Sequence, residues 1–89
     1  MGERILLVDD HALRLESLGV SLKRWGYEGS SAAHCRGALE AVRRRPMDLA
    51  ILDIGLPDGE GLRLCLSLAN SRFELLGGGG HAPVWYLRA

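Results

Sequence analysis

Three aspartates carry the chemistry that this sequence offers. The apolar run Ile5–Val8 ends in Asp9 and Asp10, within "ILLVDD", and a second run, Leu49–Leu52, ends in Asp53. Carboxylates gathered at one place repel one another unless a cation sits among them. Mg²⁺ suits such a group, because it is small, prefers oxygen ligands, and is content with one or two carboxylates plus water and phosphate oxygens. Beside it an aspartate stays ionised and can attack phosphorus, giving an aspartyl phosphate, while the metal neutralises the oxygens in transfer. In this reading Asp9 and Asp10 hold the metal and Asp53 is the group it serves. The reading requires the two runs to end side by side.

The elements around the acids supply that arrangement. Unbroken apolar runs suit strands covered on both faces, as in a parallel sheet. Behind the first, Leu15, Leu18, Leu22 and Trp25 recur at helical spacing from Ala12 onward. Asp9 or Asp10 is placed to cap that helix, and Gly26 to end it. Residues 27–33, "YEGSSAA", make a weak second strand without a branched aliphatic residue. A second helix follows over Gly37–Arg45, with Ala38, Leu39, Ala41 and Val42 inward. Leu49–Leu52 is the third strand, and "LPDGEG" the loop after it. Leu62–Leu76 satisfies both strand and helix periods, and a third helix is the choice consistent with the preceding units. Gly77–Gly80 reads as a flexible spacer, and Pro83–Leu87, within "APVWYLRA", as a fourth strand.

Strand and helix in alternation imply an α/β fold with a parallel, doubly wound sheet and right-handed crossovers. Ligands of such sheets bind beyond the carboxyl ends of the strands, where the strand order reverses. Asp9, Asp10 and Asp53 all lie at such ends.

Composition narrows the function classes. Eighty-nine residues, 47% hydrophobic and 25% charged, make a single small globular domain over residues 1–89. The net charge is zero, so no bulk electrostatic term favours direct contact with nucleic acid or an anionic membrane. No apolar run reaches the length of a spanning helix. Cys35 and Cys65 show neither metal-site nor CxxC spacing and read as reduced packing residues, which with no secretory signal suggests a cytoplasmic protein. The Arg43–Arg45 block reads as the solvated end of a helix, His11 as a surface residue at a helix start, and His34 and His81 as loop residues. The four glycines lack the Lys-Ser/Thr of a phosphate-cradling loop. An aspartate-nucleophile phosphatase is disfavoured, because Gly55 stands where its second aspartate is needed as general acid.

"ILLVDD" and "DLAILDIGLPDGEG", with "VWYLRA" downstream, resemble the receiver domain of bacterial response regulators over nearly the whole chain. The resemblance implies a flavodoxin-like fold with strand order 2-1-3-4 and three helices, lacking the last strand–helix unit. It implies that Asp53 is the phosphoacceptor, fed by a histidine kinase. Mg²⁺ would be bound by Asp9, Asp10, Asp53 and the backbone carbonyl of Gly55, with Pro57 and Gly59 shaping the loop. Such a module is a regulatory phosphoprotein rather than an enzyme. Two departures stand out. The family's lysine at the end of its fifth strand has no counterpart here, and Arg88 occupies the position of the Thr or Ser near the end of strand four. Arg88 reads first as a frayed penultimate residue; the rival hypothesis, from the carboxyl end of a parallel fourth strand, has its guanidinium lean over the acidic site and partly replace that lysine. The apolar edge of that strand suggests a homodimer or another protein partner, and hence an alternative: a degenerate receiver acting in interaction or dimerisation without phosphorylation, or a poorly functional fragment.

Overall fold

The computed structural model describes residues 2–53, 66, 73–78 and 84–89. Among them are five strands and two helices: β1 Arg4–Val8, α1 Ala12–Arg24, β2 Glu28–Ala32, α2 Cys35–Arg44, β3 Leu49–Asp53, β4 Glu74–Gly77 and β5 Val84–Arg88. One sheet holds all five strands in the order β2-β1-β3-β5-β4. The α/β class expected from sequence is therefore found.

The central strand explains the unbroken apolar run. Ile5, Leu6, Leu7 and Val8 are all buried, because α1 covers one face of the sheet and α2 the other. On the α1 side Ile5 and Leu7 pack with Leu22, and with half-buried Leu15, Leu49 and Ile51. On the α2 side Leu6, Val8, Ala50 and Leu52 join Ala38, Val42, Met47, Trp85 and Leu87 in the main core. Leu18 and Trp25, read as part of the inward stripe of α1, are exposed. Helix α1 ends as expected, with Gly26 in the left-handed region at φ 88° just past the Trp25 cap.

β2 forms despite its weak composition, pairing with β1 in parallel from Arg4↔Glu28 to Val8↔Ala32. As an edge strand beside a strongly hydrophobic neighbour, it needs little of its own side-chain burial. Helix α2 begins earlier than the periodicity indicated. His34, read as a loop residue, is its N-cap, and its Nδ1 accepts from the Gly37 N–H at 3.1 Å. Cys35 is buried at the helix start, and Arg43 and Arg44 lie in its last turn, where cations complement the helix dipole.

The expected parallel arrangement stops at β3. The VWYLR strand does lie beside β3, but it runs antiparallel, from Leu49↔Arg88 to Asp53↔Val84. It is also not an edge: β4 pairs antiparallel with its other side. The end of the expected third helix is thus a strand, Glu74–Gly77, although Leu66 is helical and fully buried. Residues 62–65 and 67–72 of that expected helix lie outside the described residues. The physical reason is a hairpin. The short link between β4 and β5 suits antiparallel neighbours, whereas a parallel crossover needs a dozen or more residues. The open apolar edge that suggested self-association is consequently covered by β4.

Part of the glycine run has a structural duty rather than a spacer's. Gly77 is in β4, and Gly78 sits at φ 90°, where a Cβ would collide with the Val84 carbonyl and approach the Trp85 Cα to 2.8 Å. Gly78→Ala is expected to cost about 2–3 kcal/mol by adding that clash to a positive φ. Gly26→Ala, at a similar φ but with nothing within 4 Å of the added Cβ, should cost about 1 kcal/mol. Urea melts of the two variants check the ranking.

Candidate functional site

The site begins with the register of β1 on β3. The two strands pair in parallel from Ile5↔Leu49 to Val8↔Leu52. At the start of the ladder, the Asp48 N–H donates to the Arg4 carbonyl at 2.8 Å, and the Arg4 N–H donates to Asp48 Oδ2 at 2.8 Å. Since Val8 and Leu52 are partners, Asp9 and Asp53, the next residue in each chain, emerge side by side. Asp9, Asp10 and Asp53 each place a carboxylate oxygen within 4.8 Å of the others'. The spatial condition set by the sequence is met.

The three acids are not equivalent. Asp9 is buried, Asp10 exposed and Asp53 between them. Neither Asp9 nor Asp10 is the N-cap of α1, as had been expected; that position is His11, whose side chain makes no capping bond. Instead the Asp9 Oδ1 accepts the His11 N–H at 2.9 Å, which orients the carboxylate while holding the chain turn into α1. The Asp9 N–H donates to the Ala32 carbonyl at 3.0 Å, tying the strand tip to β2.

Sequence reasoning missed Arg14. Its Nε lies 3.2 Å from Asp9 Oδ2 and its Nη1 3.4 Å from Asp53 Oδ2, so one guanidinium spans the two strand tips. A signal was present. Arg14 stands in the first turn of α1, where a cation opposes the helix dipole and no acidic residue balances it. Asp9, Arg14 and Asp53 line a cleft of about 270 Å³ together with Leu7, Leu15, Leu18, Ile51, Val84 and Tyr86.

Arg88 does not reach this site. Antiparallel pairing sets it opposite Leu49, four residues along β3 from Asp53, or about 13 Å at strand rise. The rival hypothesis that its guanidinium leans over the acids is overturned, and Val84 takes the place beside Asp53 instead. Gly55, Pro57 and Gly59 lie outside the described residues.

The donor set is all carboxylate oxygen, which favours a hard cation such as Mg²⁺ over softer metals. An acidic triad at the tips of neighbouring parallel strands, one acid presented beside a cation, agrees with a family comparison. A model of the response regulator receiver domain matches residues 5–76. This chain belongs to that family. The receiver is similar to KdpE, a transcriptional regulatory protein of Mycobacterium tuberculosis, at 40% identity over 58 residues, 65% of this chain and 26% of KdpE. It is also similar to the virulence transcriptional regulatory protein PhoP of Salmonella typhimurium (39% identity; 68% of this chain, 27% of PhoP). The response regulator protein PilR of Pseudomonas aeruginosa is 39% identical over 70% of this chain and 14% of PilR. The matched segment thus spans about a quarter or less of each relative. No solved structure matches the chain significantly. Receiver domains are regulatory phosphoacceptor modules of two-component systems. Among the described residues no helix is long and apolar enough to cross a membrane.

Proposed function

We propose that Asp53 accepts a phosphoryl group from the phosphohistidine of a histidine kinase, with Mg²⁺ held by Asp9, Asp10, Asp53 and the Gly55 carbonyl. The observation that carries this reading is the convergence of three carboxylates within 4.8 Å at the tips of β1 and β3. When bound, Mg²⁺ supplies the positive charge that lets an anionic nucleophile approach an anionic phosphoryl group. An Asp53 oxygen forms the new O–P bond as the P–N bond to the kinase imidazole breaks, and the imidazole leaves with that electron pair and takes up a proton. Asp9 is held by its burial and by the His11 N–H, so it stays oriented through the transfer. Asp53 is partly exposed at its strand end, where a kinase side chain can approach.

The output runs through β5. Val84 pairs with Asp53 and buried Trp85 with Leu52, so a charge added at Asp53 bears directly on the start of that strand. Trp85 is therefore the reporter. In a Trp25→Phe background, which removes an exposed indole, Trp85 emission should shift when Mg²⁺ and beryllofluoride are added together, and not with beryllofluoride alone. No shift with both present, alongside no labelling by acetyl phosphate, removes the phosphoacceptor reading.

A further inference from the structure

We infer that Arg14 is a built-in counter-cation of the acidic site, one that a divalent ion must displace in order to bind. This inference rests on the reading of Asp9, Asp10 and Asp53 as a divalent-cation site and adds the residue that sets its affinity.

Asp9 carries the argument. Its Oδ1 is engaged by the His11 N–H, at 2.9 Å, and its Oδ2 by Arg14 Nε, at 3.2 Å. The side chain of Asp9 is only 7% exposed, so solvent offers few alternative orientations. The Asp9 oxygen without a backbone donor is the one that faces Arg14, so a hard cation drawn to it meets the guanidinium there. Asp53 repeats the pattern, since its Oδ2 faces Arg14 Nη1 at 3.4 Å. A guanidinium and a divalent ion drawn to the same pair of oxygens repel each other strongly at such range.

The placement of Arg14 is costly by local rules. A cation in the first helical turn opposes the macrodipole, and α1 has no acid in that turn to offset it. A residue that breaks a local preference is expected to have a compensating tertiary role. Here that role is to neutralise two acids brought together by strand pairing. The Arg14 side chain is 50% exposed, so it can swing into water without unpacking the core. Metal entry thus exchanges one cation for another and frees Arg14, which lines the same cleft as Asp9 and Asp53.

The test is a Mg²⁺ titration of the 89-residue chain by calorimetry, with melts in EDTA and in saturating Mg²⁺. Arg14→Gln should bind Mg²⁺ about tenfold more tightly than the unsubstituted protein, a screened Coulomb effect at a half-exposed position. It should melt lower than the unsubstituted protein in EDTA, with the gap closing in saturating Mg²⁺. A merely structural arginine gives a gap that Mg²⁺ does not close and an unchanged affinity, and either result overturns the inference. In the unsubstituted protein the Arg14 Nε–H resonance should move in step with Mg²⁺ saturation. A resonance that stays put while Mg²⁺ binds overturns the inference without any variant. No Mg²⁺ binding by the unsubstituted chain overturns the metal reading itself, whereas normal binding with no Arg14 response overturns only the counter-cation.

Discussion

Asp53→Asn should lower Mg²⁺-dependent labelling by acetyl phosphate at least about a thousandfold, the result expected when the proposed nucleophile itself is removed. The amide nearly matches the carboxylate in shape but has no anionic oxygen to attack phosphorus. The fold should survive, because Asp53 closes β3 at its partly exposed end and its neighbours in the ladder are held by backbone pairing with Val8 and Trp85. Far-UV circular dichroism of the variant should overlay that of the unsubstituted chain. Phosphoryl label retained by a folded Asp53→Asn protein assigns the acceptor to another residue.

The second large effect is on stability. Leu52 is 2% exposed and sits at the centre of the sheet, with Val8 opposite on β1 and Trp85 opposite on β5. Its side chain belongs to the core on the α2 face, where no exposed edge lets neighbours collapse into the space it leaves. Leu52→Ala should cost about 3–4 kcal/mol from lost transfer energy and the residual cavity. Domains of this size are stable by roughly 5–12 kcal/mol, so the variant keeps only part of its margin. Its melting temperature should fall by about 15–25 °C. Leu76→Ala is the control: Leu76 is 53% exposed on β4, and its removal should stay within about 0.5 kcal/mol. Equal shifts for the two leucines contradict the burial assigned here.

Both expectations combine local and non-local information, and the two kinds differ in how far the sequence discloses them. β1 and β3 were readable because each is an unbroken apolar run, with β1 buried on both faces and β3 buried on one and half-buried on the other, and because a carboxylate follows each run. Helix α1 was readable from its period and from Gly26, whose left-handed conformation terminates it. The identity of the acids and their need for a cation followed from residue type alone.

Other features were hidden for physical reasons. An alternating or apolar strand pattern is the same whichever way its neighbour runs, so nothing in VWYLR shows that it pairs antiparallel with β3. That polarity moved Arg88 to the far end of the sheet and left Val84 beside Asp53. Leu-rich residues before the glycines satisfied two periods at once, and pairing of Glu74–Gly77 with β5 decided for strand at that end. The reach of Arg14 depends on how α1 is rotated against β1, a tertiary quantity that no spacing encodes.

The chain by itself determined that carboxylates would follow two apolar strands, because hydrophobicity and charge are properties of single residues in short windows. Only the folded structure decided that these ends are neighbours in register, that an arginine from α1 bridges them, and that the last strands return as a hairpin. Those are relations between distant segments, set by packing and backbone pairing across the sheet.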